Sequence, residues 1–427
     1  MLLAGAPLWL LAGLVPAGWL AGALYLLLLA VLCWRNIQTH PRASEITARR
    51  ELPPRFVLDA EHQIKLIIVN HSAQPLEIIV RDELPEAFEL LTEATWGHVS
   101  SGGEAQLSYT IRPVKRGLYS YGNVVLRIRQ GSSLVQKQIS LSVPATVKVY
   151  PNFRGADEYR LLAKIAEREE IVRRPRQARA PGSDFESLRP YISGEDPRSI
   201  DWKATARRGS LVSRNKQVEK GQQLAVLVDA GRLMAETVAT QSKLEHALKA
   251  TVMLSFVAEK RGDALAVACF SNKIESFMPP VRGAALMSKV LESIYTVQVR
   301  AVESDYWQVI AEMLSLLRRR SLLVLLTDVL DPRASGGLIN NLARATQKHL
   351  VLCVVLTEPR IREIADSIPA TVEETYQKAA AVDLTRRRRL ALERMRARGI
   401  LVLETDPWHL SIRLVQRYFE IRQADLQ

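Results

Sequence analysis

The chain has 427 residues, of which 48% are hydrophobic and 24% charged, and these fractions are those of an ordinary globular protein. This length excludes a single hydrophobic core, so we expect two or three domains. The net charge of +13 favours anionic surroundings, such as a membrane surface or nucleic acid. The three cysteines are far apart and lack any metal-binding spacing, which indicates buried thiols in a reducing compartment.

The first 34 residues contain no Asp, Glu, Lys, Arg or His. As one helix they would be about 51 Å long, whereas the hydrocarbon core of a bilayer is about 30 Å thick. Residues 1–34 therefore predict a transmembrane anchor, either one tilted span or a hairpin of two short helices. Arginines at 35, 42, 49 and 50 follow it. By the positive-inside rule they place the bulk of the chain in the cytoplasm, with residues 35–53 as a juxtamembrane linker.

Residues 54–151 contain short segments in which apolar and β-branched residues alternate with polar ones. Examples are FVLDAEHQIKLIIVN, PLEIIVRDELP and GNVVLRIRQ, each bounded by turn residues. This spacing predicts a small antiparallel β-sandwich domain.

Residues 152–221 predict a helical linker followed by an arm that carries the most informative segment of the chain. The segment Gly182 to Arg208, GSDFESLRPYISGEDPRSIDWKATARR, contains ten charged residues and three aromatic ones. Asp196-Pro197 is a typical helix start, so we expect an extended arm followed by a helix from Pro197 to Arg208.

This segment has two open interpretations. Arg, Tyr and Trp are the strongest interface anchors, so it can be a recognition surface for a partner protein. It can also be a structural arm that packs the β-domain against the domain that follows. It contains no histidine, cysteine or evident nucleophile, so we expect no catalytic residues and no enzyme activity. The candidate partner-binding residues are Arg189, Tyr191, Asp196, Arg198, Asp201, Trp202 and Arg207.

Residues 222–427 alternate between apolar strands and amphipathic helices. Continuous apolar runs such as QLAVLVD, SLLVLLTD and LVLCVVL are typical of parallel strands buried on both faces. The pattern predicts a doubly wound α/β domain, in which ligands bind at the carboxyl ends of the strands.

Two of these strands end in acids, Asp229 and Asp328, which could share a divalent cation. The sequence here resembles the von Willebrand factor A fold, whose metal-ion-dependent adhesion site uses Asp-x-Ser-x-Ser, a later Thr and a later Asp. Asp229 matches the first acid and Asp328 the last, Ser304 could replace the threonine, but Gly231 and Leu233 stand where the two serines belong. The resemblance implies a weakly bound Mg²⁺ at most. In the alternative, both acids cap helices or hydrogen-bond nearby loops.

The wider sequence resembles the bacterial domain of unknown function 58 family. The motifs that carry the resemblance are the 182–208 segment, RPVKRGLYSYG, RGDALAVACFSNKI and RARGILVLETDPWHLS. The resemblance implies a membrane-anchored β-domain before a von Willebrand factor A-like domain. It also implies that the protein accompanies a MoxR-type AAA+ ATPase as an adaptor or chaperone partner.

We therefore expect a membrane-tethered, non-catalytic adaptor at the bacterial inner membrane that binds a MoxR-type AAA+ ATPase or its client protein. Its N-terminal anchor would contact lipids. The alternative is a divalent-cation-dependent receptor that uses Asp229, Ser304 and Asp328. No nucleotide-binding motif is present, and the basic residues are not interleaved with aromatics, so neither a nucleotide cofactor nor a nucleic-acid partner is expected.

Overall fold

The computed structural model describes residues 18–92, 96–129, 135–152, 185–190, 202–216, 222–238, 240–329 and 336–424. The chain divides into two compact units, Met1–Tyr150 and Pro151–Gln427.

The first unit begins with helix α1 (Gly18–Thr39). The prediction of a transmembrane anchor is wrong for the described residues, because no helix among them is long and apolar enough to cross a membrane; residues 1–17 of the predicted anchor lie outside the described residues. The uncharged part of α1 ends at Trp34, so from Gly18 it rises about 26 Å, less than the roughly 30 Å of a bilayer core. Arg35 and further polar residues follow within the same helix.

The rest of the first unit is almost entirely β-structure. Its strands are β1 (Ile46–Glu51), β2 (Phe56–Val57), β3 (His62–Asn70), β4 (Leu76–Asp82), β5 (Phe88–Thr92), β6 (Trp96–Val99), β7 (Glu104–Pro113), β8 (Gly117–Tyr121), β9 (Val124–Arg129), β10 (Lys137–Leu141) and β11 (Ala145–Tyr150). They form sheets in the orders β1-β3-β7-β5, β10-β9-β4-β6 and β2-β11-β8. Neighbouring strands are antiparallel, except that β2 and β11 run parallel.

The two four-stranded sheets share one hydrophobic core. In β3, Ile64, Leu66 and Ile68 are buried, whereas Lys65 between them is exposed. Successive side chains of a strand point to opposite faces, so this alternation turns one face of each sheet inward.

A buried ion pair lies between β1 and β4. The Arg50 guanidinium donates to both Asp82 carboxylate oxygens, at 2.5 and 2.9 Å, and lies 4.4 Å from the ring centroid of Tyr121. Tyr109 donates a further hydrogen bond of 2.5 Å to Asp82. Burial, followed by the negative charge of Asp82, raises the pKa of Tyr109, so the phenol stays protonated and remains a donor. Arg50 is therefore half of a buried ion pair, and not the exposed charge next to a membrane anchor that the sequence suggested.

The second unit begins with a strand pair and a short helix, and continues as an α/β domain. Its elements are β12 (Phe185–Pro190), α2 (Trp202–Arg208), β13 (Val212–Lys216), β14 (Gln223–Asp229), β15 (Thr237–Val238), β16 (Gln241–Ser242), α3 (Lys243–Arg261), β17 (Ala264–Phe270), β18 (Ile274–Val281), α4 (Leu286–Ile294), α5 (Tyr306–Leu316), β19 (Leu322–Thr327), α6 (Gly336–Ala345), β20 (Leu350–Leu356), α7 (Pro359–Asp366), α8 (Val372–Ala397), β21 (Leu401–Thr405) and α9 (Leu410–Ala424).

The large sheet of this unit has the order β18-β17-β14-β19-β20-β21. All its strand pairs are parallel except the antiparallel edge pair of β17 and β18. From β14 the chain first passes to β17 on one side, and later returns to β19 on the other side. The carboxyl ends of β14 and β19 therefore flank the point where the strand order reverses, which is where sheets of this kind bind ligands.

The helices of this unit begin and end at side chains suited to those positions. The Ser242 hydroxyl accepts a hydrogen bond from the Glu245 amide at the start of α3, and Thr371 does the same for Glu374 at the start of α8. Gly262 ends α3 with a φ of 70°, a left-handed conformation that favours glycine. These caps fix where α3 and α8 begin, and hence which of their residues lie near the carboxyl edge of the sheet.

The ion pair of Arg50 and Asp82 predicts unequal roles for two adjacent arginines. Replacing Arg50 with Ala leaves the Asp82 carboxylate buried without its cation, which costs about 3–5 kcal/mol. Arg49 pairs with Glu51 at the surface, so Arg49→Ala should cost no more than about 1 kcal/mol. Hydrogen exchange of peptides from β4 and β7 in the full chain measures the free energy of opening. Equal losses in the two variants would show that the buried pair adds no stability.

Candidate functional site

The 182–208 segment is described only in part. Arg189 lies in β12, which pairs antiparallel with β13, and Trp202 and Arg207 lie in α2. The other four candidate partner-binding residues lie outside the described residues, as does the first part of the helix expected from Pro197; they are Tyr191, Asp196, Arg198 and Asp201.

Helix α2 presents its side chains to solvent. None of its residues is buried, and Trp202 is 67% exposed. The helix ends before Gly209, whose φ of 66° suits the position after a helix C-terminus. Thr205 Oγ accepts a hydrogen bond of 3.1 Å from the Val212 amide, which ties α2 to β13. The segment thus holds a large exposed indole on a fixed element.

The Asp229 carboxylate, at the end of β14, is buried and fully hydrogen-bonded. Its Oδ1 accepts from the Gly231 amide at 2.8 Å and from Ser304 Oγ at 2.5 Å. Its Oδ2 accepts from Tyr306 at 2.8 Å and from Thr327 Oγ1 at 2.7 Å. Four donors thus satisfy its two oxygens, and no cation contacts it among the described residues.

The phenol of Tyr306 donates to Asp229 and also lies 3.0 Å from Thr327 Oγ1. Burial and then the nearby charge of Asp229 raise the pKa of Tyr306 well above its ordinary value. Tyr306 therefore stays protonated at any physiological pH, and it supplies neither a base nor a nucleophile.

The second acid, Asp328, is bound by two buried cations. Lys243 Nζ donates to its Oδ2 at 2.6 Å, and Arg388 donates to its Oδ1 at 2.5 Å. The Val329 amide also donates to Oδ1, at 2.7 Å. Lys243 is completely buried and forms a second ion pair with Glu236. The structure thus joins Asp328 to α3 and α8 by charge.

Gly231 stands where the resemblance predicted a metal-binding serine, and its surroundings exclude one. A Cβ atom added at Gly231 would lie 2.1 Å from Ser304 Oγ, and 3.1 Å from both Asp229 Oδ1 and the Val302 carbonyl oxygen. The Ser304 hydroxyl occupies this space and donates directly to Asp229. The loop is therefore built around a hydrogen bond between side chains.

The residues present do not fit a Mg²⁺ ion. Mg²⁺ requires near-octahedral oxygen ligands, but each Asp229 oxygen already accepts two hydrogen bonds, and Asp328 is neutralised by Lys243 and Arg388. Within the described ranges, no group of three His, Cys, Asp or Glu side chains is placed to hold a metal. The geometry brings Ser304 to Asp229 as the sequence suggested, but as a hydrogen-bond donor.

A cavity of about 320 Å³ adjoins these side chains at the carboxyl edge of the sheet. The first turns of α5 and α6 contribute to its wall. The lining residues are Arg232, Leu233, Glu303, Ser304, Asp305, Tyr306, Trp307, Asp328, Gly337, Leu338 and Asn341.

Arg388 is a functional residue that the sequence analysis missed. It belongs to the run Arg386–Arg389, and its neighbour Arg387 is paired at the surface with Asp383. Arg388 shares the buried face of α8 with Ala381, Ala391, Leu392 and Met395. This helical spacing was present in the sequence and distinguishes Arg388 from its neighbours. For Lys243, Tyr306 and Thr327 we find no comparable signal.

The comparisons with known proteins show a resemblance to one family and give no function. A family model described as "Protein of unknown function DUF58" matches residues 187–398, which confirms the predicted resemblance over this part of the chain. Uncharacterized proteins of Mycobacterium bovis and Mycobacterium tuberculosis are 26% identical over 188 residues. The match covers 44% of this chain and 58% of each mycobacterial protein, so the chain spans little more than half their length.

Solved structures resemble the chain only weakly. A FixG-related protein from Vibrio parahaemolyticus has 9% identity and a TM-score of 0.19, and covers 25% of this chain and 96% of its own. A protein of unknown function from Porphyromonas gingivalis has 17% identity and a TM-score of 0.21, with coverages of 26% and 49%. These similarities are too weak to assign a fold or a function.

The close approach of Gly231 to Ser304 predicts that substitutions at these two positions have non-additive effects on the free energy of unfolding. Gly231→Ala should cost about 1–3 kcal/mol because its methyl group overlaps Ser304 Oγ. Ser304→Ala loses a hydrogen bond to a carboxylate, about 1.5–3 kcal/mol, but also makes room for that methyl group. The double variant should therefore lose less stability than the sum of the two, by about 1 kcal/mol in denaturant unfolding. Gly337→Ala is the control, since its added Cβ meets no atom within 4 Å. Strict additivity would contradict the predicted overlap.

Arg387 and Arg388 are adjacent in α8, but we expect their replacement to change the free energy of unfolding by different amounts. Arg388→Ala leaves Asp328 with only one of its buried cations and should cost about 3–5 kcal/mol. Arg387→Ala removes an exposed pair with Asp383, which contributes about 0.3–0.5 kcal/mol. Urea unfolding of the full chain at low and at high salt checks both values. The Arg388 loss should persist at high salt because the buried pair is screened little; a loss that disappears with salt would contradict its burial.

Proposed function

We propose that this chain is a non-catalytic adaptor that binds a MoxR-type AAA+ ATPase, or that ATPase's client protein, through the 182–208 segment. The observation that carries the proposal is Trp202, an indole 67% exposed on the short helix α2. Arg207 and Arg208 lie in the last turn of the same helix. Tryptophan and arginine are the residues that most often dominate the free energy of protein association.

The family match supports this proposal, because its boundaries enclose α2 and most of the α/β sheet. The identity of the partner, a MoxR-type AAA+ ATPase, is taken from the family resemblance of the sequence. The chemistry of the strand ends points the same way: Asp229 is saturated with donors and Asp328 with cations. Such groups have no free lone pair or shiftable proton to offer a substrate, so they suit a rigid scaffold better than a catalytic centre.

We also infer that the second unit is a von Willebrand factor A-like domain that has lost metal-bridged binding. A mainly parallel sheet with an antiparallel edge pair supports this inference, as do the acids at the ends of β14 and after β19. The divalent-cation-dependent receptor finds no support, since the oxygens it would use are already bound to protein donors.

The adaptor proposal predicts that α2 contributes directly to capture of the ATPase. The full chain would be tagged and co-expressed with the MoxR-type AAA+ ATPase encoded nearest to it. Trp202→Ala/Arg207→Glu should weaken the affinity more than about tenfold, as loss of an interface hot spot does. Affinity would be measured by biolayer interferometry on the purified components.

Trp96→Ala provides the matched control, since this indole is also exposed but lies in the first unit. Its affinity should equal that of the wild-type chain. Equal capture by the Trp202/Arg207 variant and the wild type would rule out α2 as the contact surface. Absence of capture by the wild type itself would overturn the proposed partner.

A further inference from the structure

The cavity at the carboxyl edge of the sheet has the size of a ligand site. Its volume of about 320 Å³ lies at the lower end of the range for small-molecule pockets, and suits one large side chain with its peptide group. Trp307 in the first turn of α5 and Leu338 in the first turn of α6 both line it. It opens where the strand order reverses, between β14 and β19.

Asn341 is the polar group of this wall that has no partner. Its side chain lines the cavity, the residue is only 5% exposed, and it makes no hydrogen bond to any described residue. Ser304, Tyr306 and Asp328, which also line the cavity, are engaged in the hydrogen bonds described above. Its carboxamide opens on the cavity, where it can pair with a ligand that carries both a donor and an acceptor.

The charges around the cavity select a neutral ligand. The exposed acids Glu303 and Asp305 lie on the rim and repel an anion, and only Glu303 has a cation nearby, Arg232 at 3.2 Å. The helix N-termini at the wall carry partial positive charge and disfavour a cation. Asp328 adds no net attraction for a cation because Lys243 and Arg388 neutralise it.

The remaining wall is apolar. Leu233 and Leu338 line the cavity, and Trp307 is 56% exposed beside them. Arg344 lies 4.9 Å from the centroid of the Trp307 ring, within the range of a cation–π contact. An apolar group that enters here removes part of the indole from water, which is favourable in proportion to the area covered.

We propose that this cavity binds a peptide segment of the partner protein. One apolar side chain lies between Trp307, Leu233 and Leu338, and a main-chain amide next to it pairs with the carboxamide of Asn341. A carboxamide carries both a donor and an acceptor, as does a peptide group, so the two are complementary. This inference rests on the proposed function and names the part of the partner that the second unit recognises.

Three capped forms of leucine test the ligand class directly. The full chain is labelled with 5-fluorotryptophan, and the Trp307 resonance is assigned with Trp307→Phe and followed by fluorine NMR. The neutral N-acetyl-leucine methylamide should shift this resonance with a Kd of about 1 mM, as the size of the probe allows. The anionic N-acetyl-leucine and the cationic leucine methylamide should bind several-fold more weakly.

Variants of the wall test the assigned contacts. Asn341→Leu should raise the Kd of the neutral probe about fivefold, which corresponds to one hydrogen bond. Asn340→Leu is the matched control, because this neighbouring carboxamide bonds to Arg398 and does not line the cavity. Leu233→Trp fills the space and should abolish binding, and it keeps the test valid if Asn341→Leu folds poorly. No shift with the neutral probe, tighter binding of a charged probe, or an unchanged Kd in Asn341→Leu would each overturn the proposal.

Capture of the ATPase separates this proposal from the adaptor proposal. Weaker capture by Asn341→Leu and Leu233→Trp than by Asn340→Leu supports the cavity as a partner site. Wild-type capture by both variants would overturn the cavity's role with this partner, while the adaptor proposal would stand. If even the wild-type chain captures no ATPase, the adaptor proposal fails, and the titration with capped leucines still decides the class of ligand.

Discussion

The pairing of the Asp328 carboxylate with Lys243 and Arg388 is the constraint on which the ligand edge of the second unit depends. The three charges come from the end of β19, the first residue of α3 and the middle of α8, and all three residues are buried. A buried charge is tolerated only when it is paired with an opposite charge and its remaining lone pairs or protons are hydrogen-bonded. Neither helix can therefore move away from this edge without breaking one of these two buried ion pairs.

The same pairing explains why the edge can dispense with a metal. Two acids at neighbouring strand ends repel each other, and a divalent cation is one way to hold them. Lys243 and Arg388 together bring the same two positive charges, already attached to the chain. Among the described residues, Asp229 binds only neutral donors. One of them, the Ser304 hydroxyl, lies so close to Gly231 that a Cβ atom there would overlap it. We regard the glycine at 231 and the buried cations as two parts of one arrangement.

The sequence predicted the acids of this arrangement but not their partners. Asp229 and Asp328 follow long apolar strands, so their place at a sheet edge follows from local pattern alone. Lys243 looks like any lysine in a first helical turn, and its partner is 85 residues away. The partner of Arg50 in the first unit was equally hard to predict: the sequence indicated a juxtamembrane charge, but Arg50 forms a buried ion pair with Asp82. The transmembrane prediction was wrong because the described helix Gly18–Thr39 carries only 17 residues before its first charge, at Arg35.

At the carboxyl edge of the sheet, the residues bonded to Asp229 and Asp328 form a closed cluster, whereas other residues face the open cavity. Saturating Asp229 and neutralising Asp328 removes their charge from the wall, so neither strand-end acid decides what binds. Selectivity then passes to the side chains that face the opening, the apolar surface of Trp307 and the unpaired carboxamide of Asn341. Both favour contact with a neutral polypeptide over chemistry on a charged substrate. The exposed indole on α2 is of the same kind, and this similarity supports the proposal that the chain binds another protein.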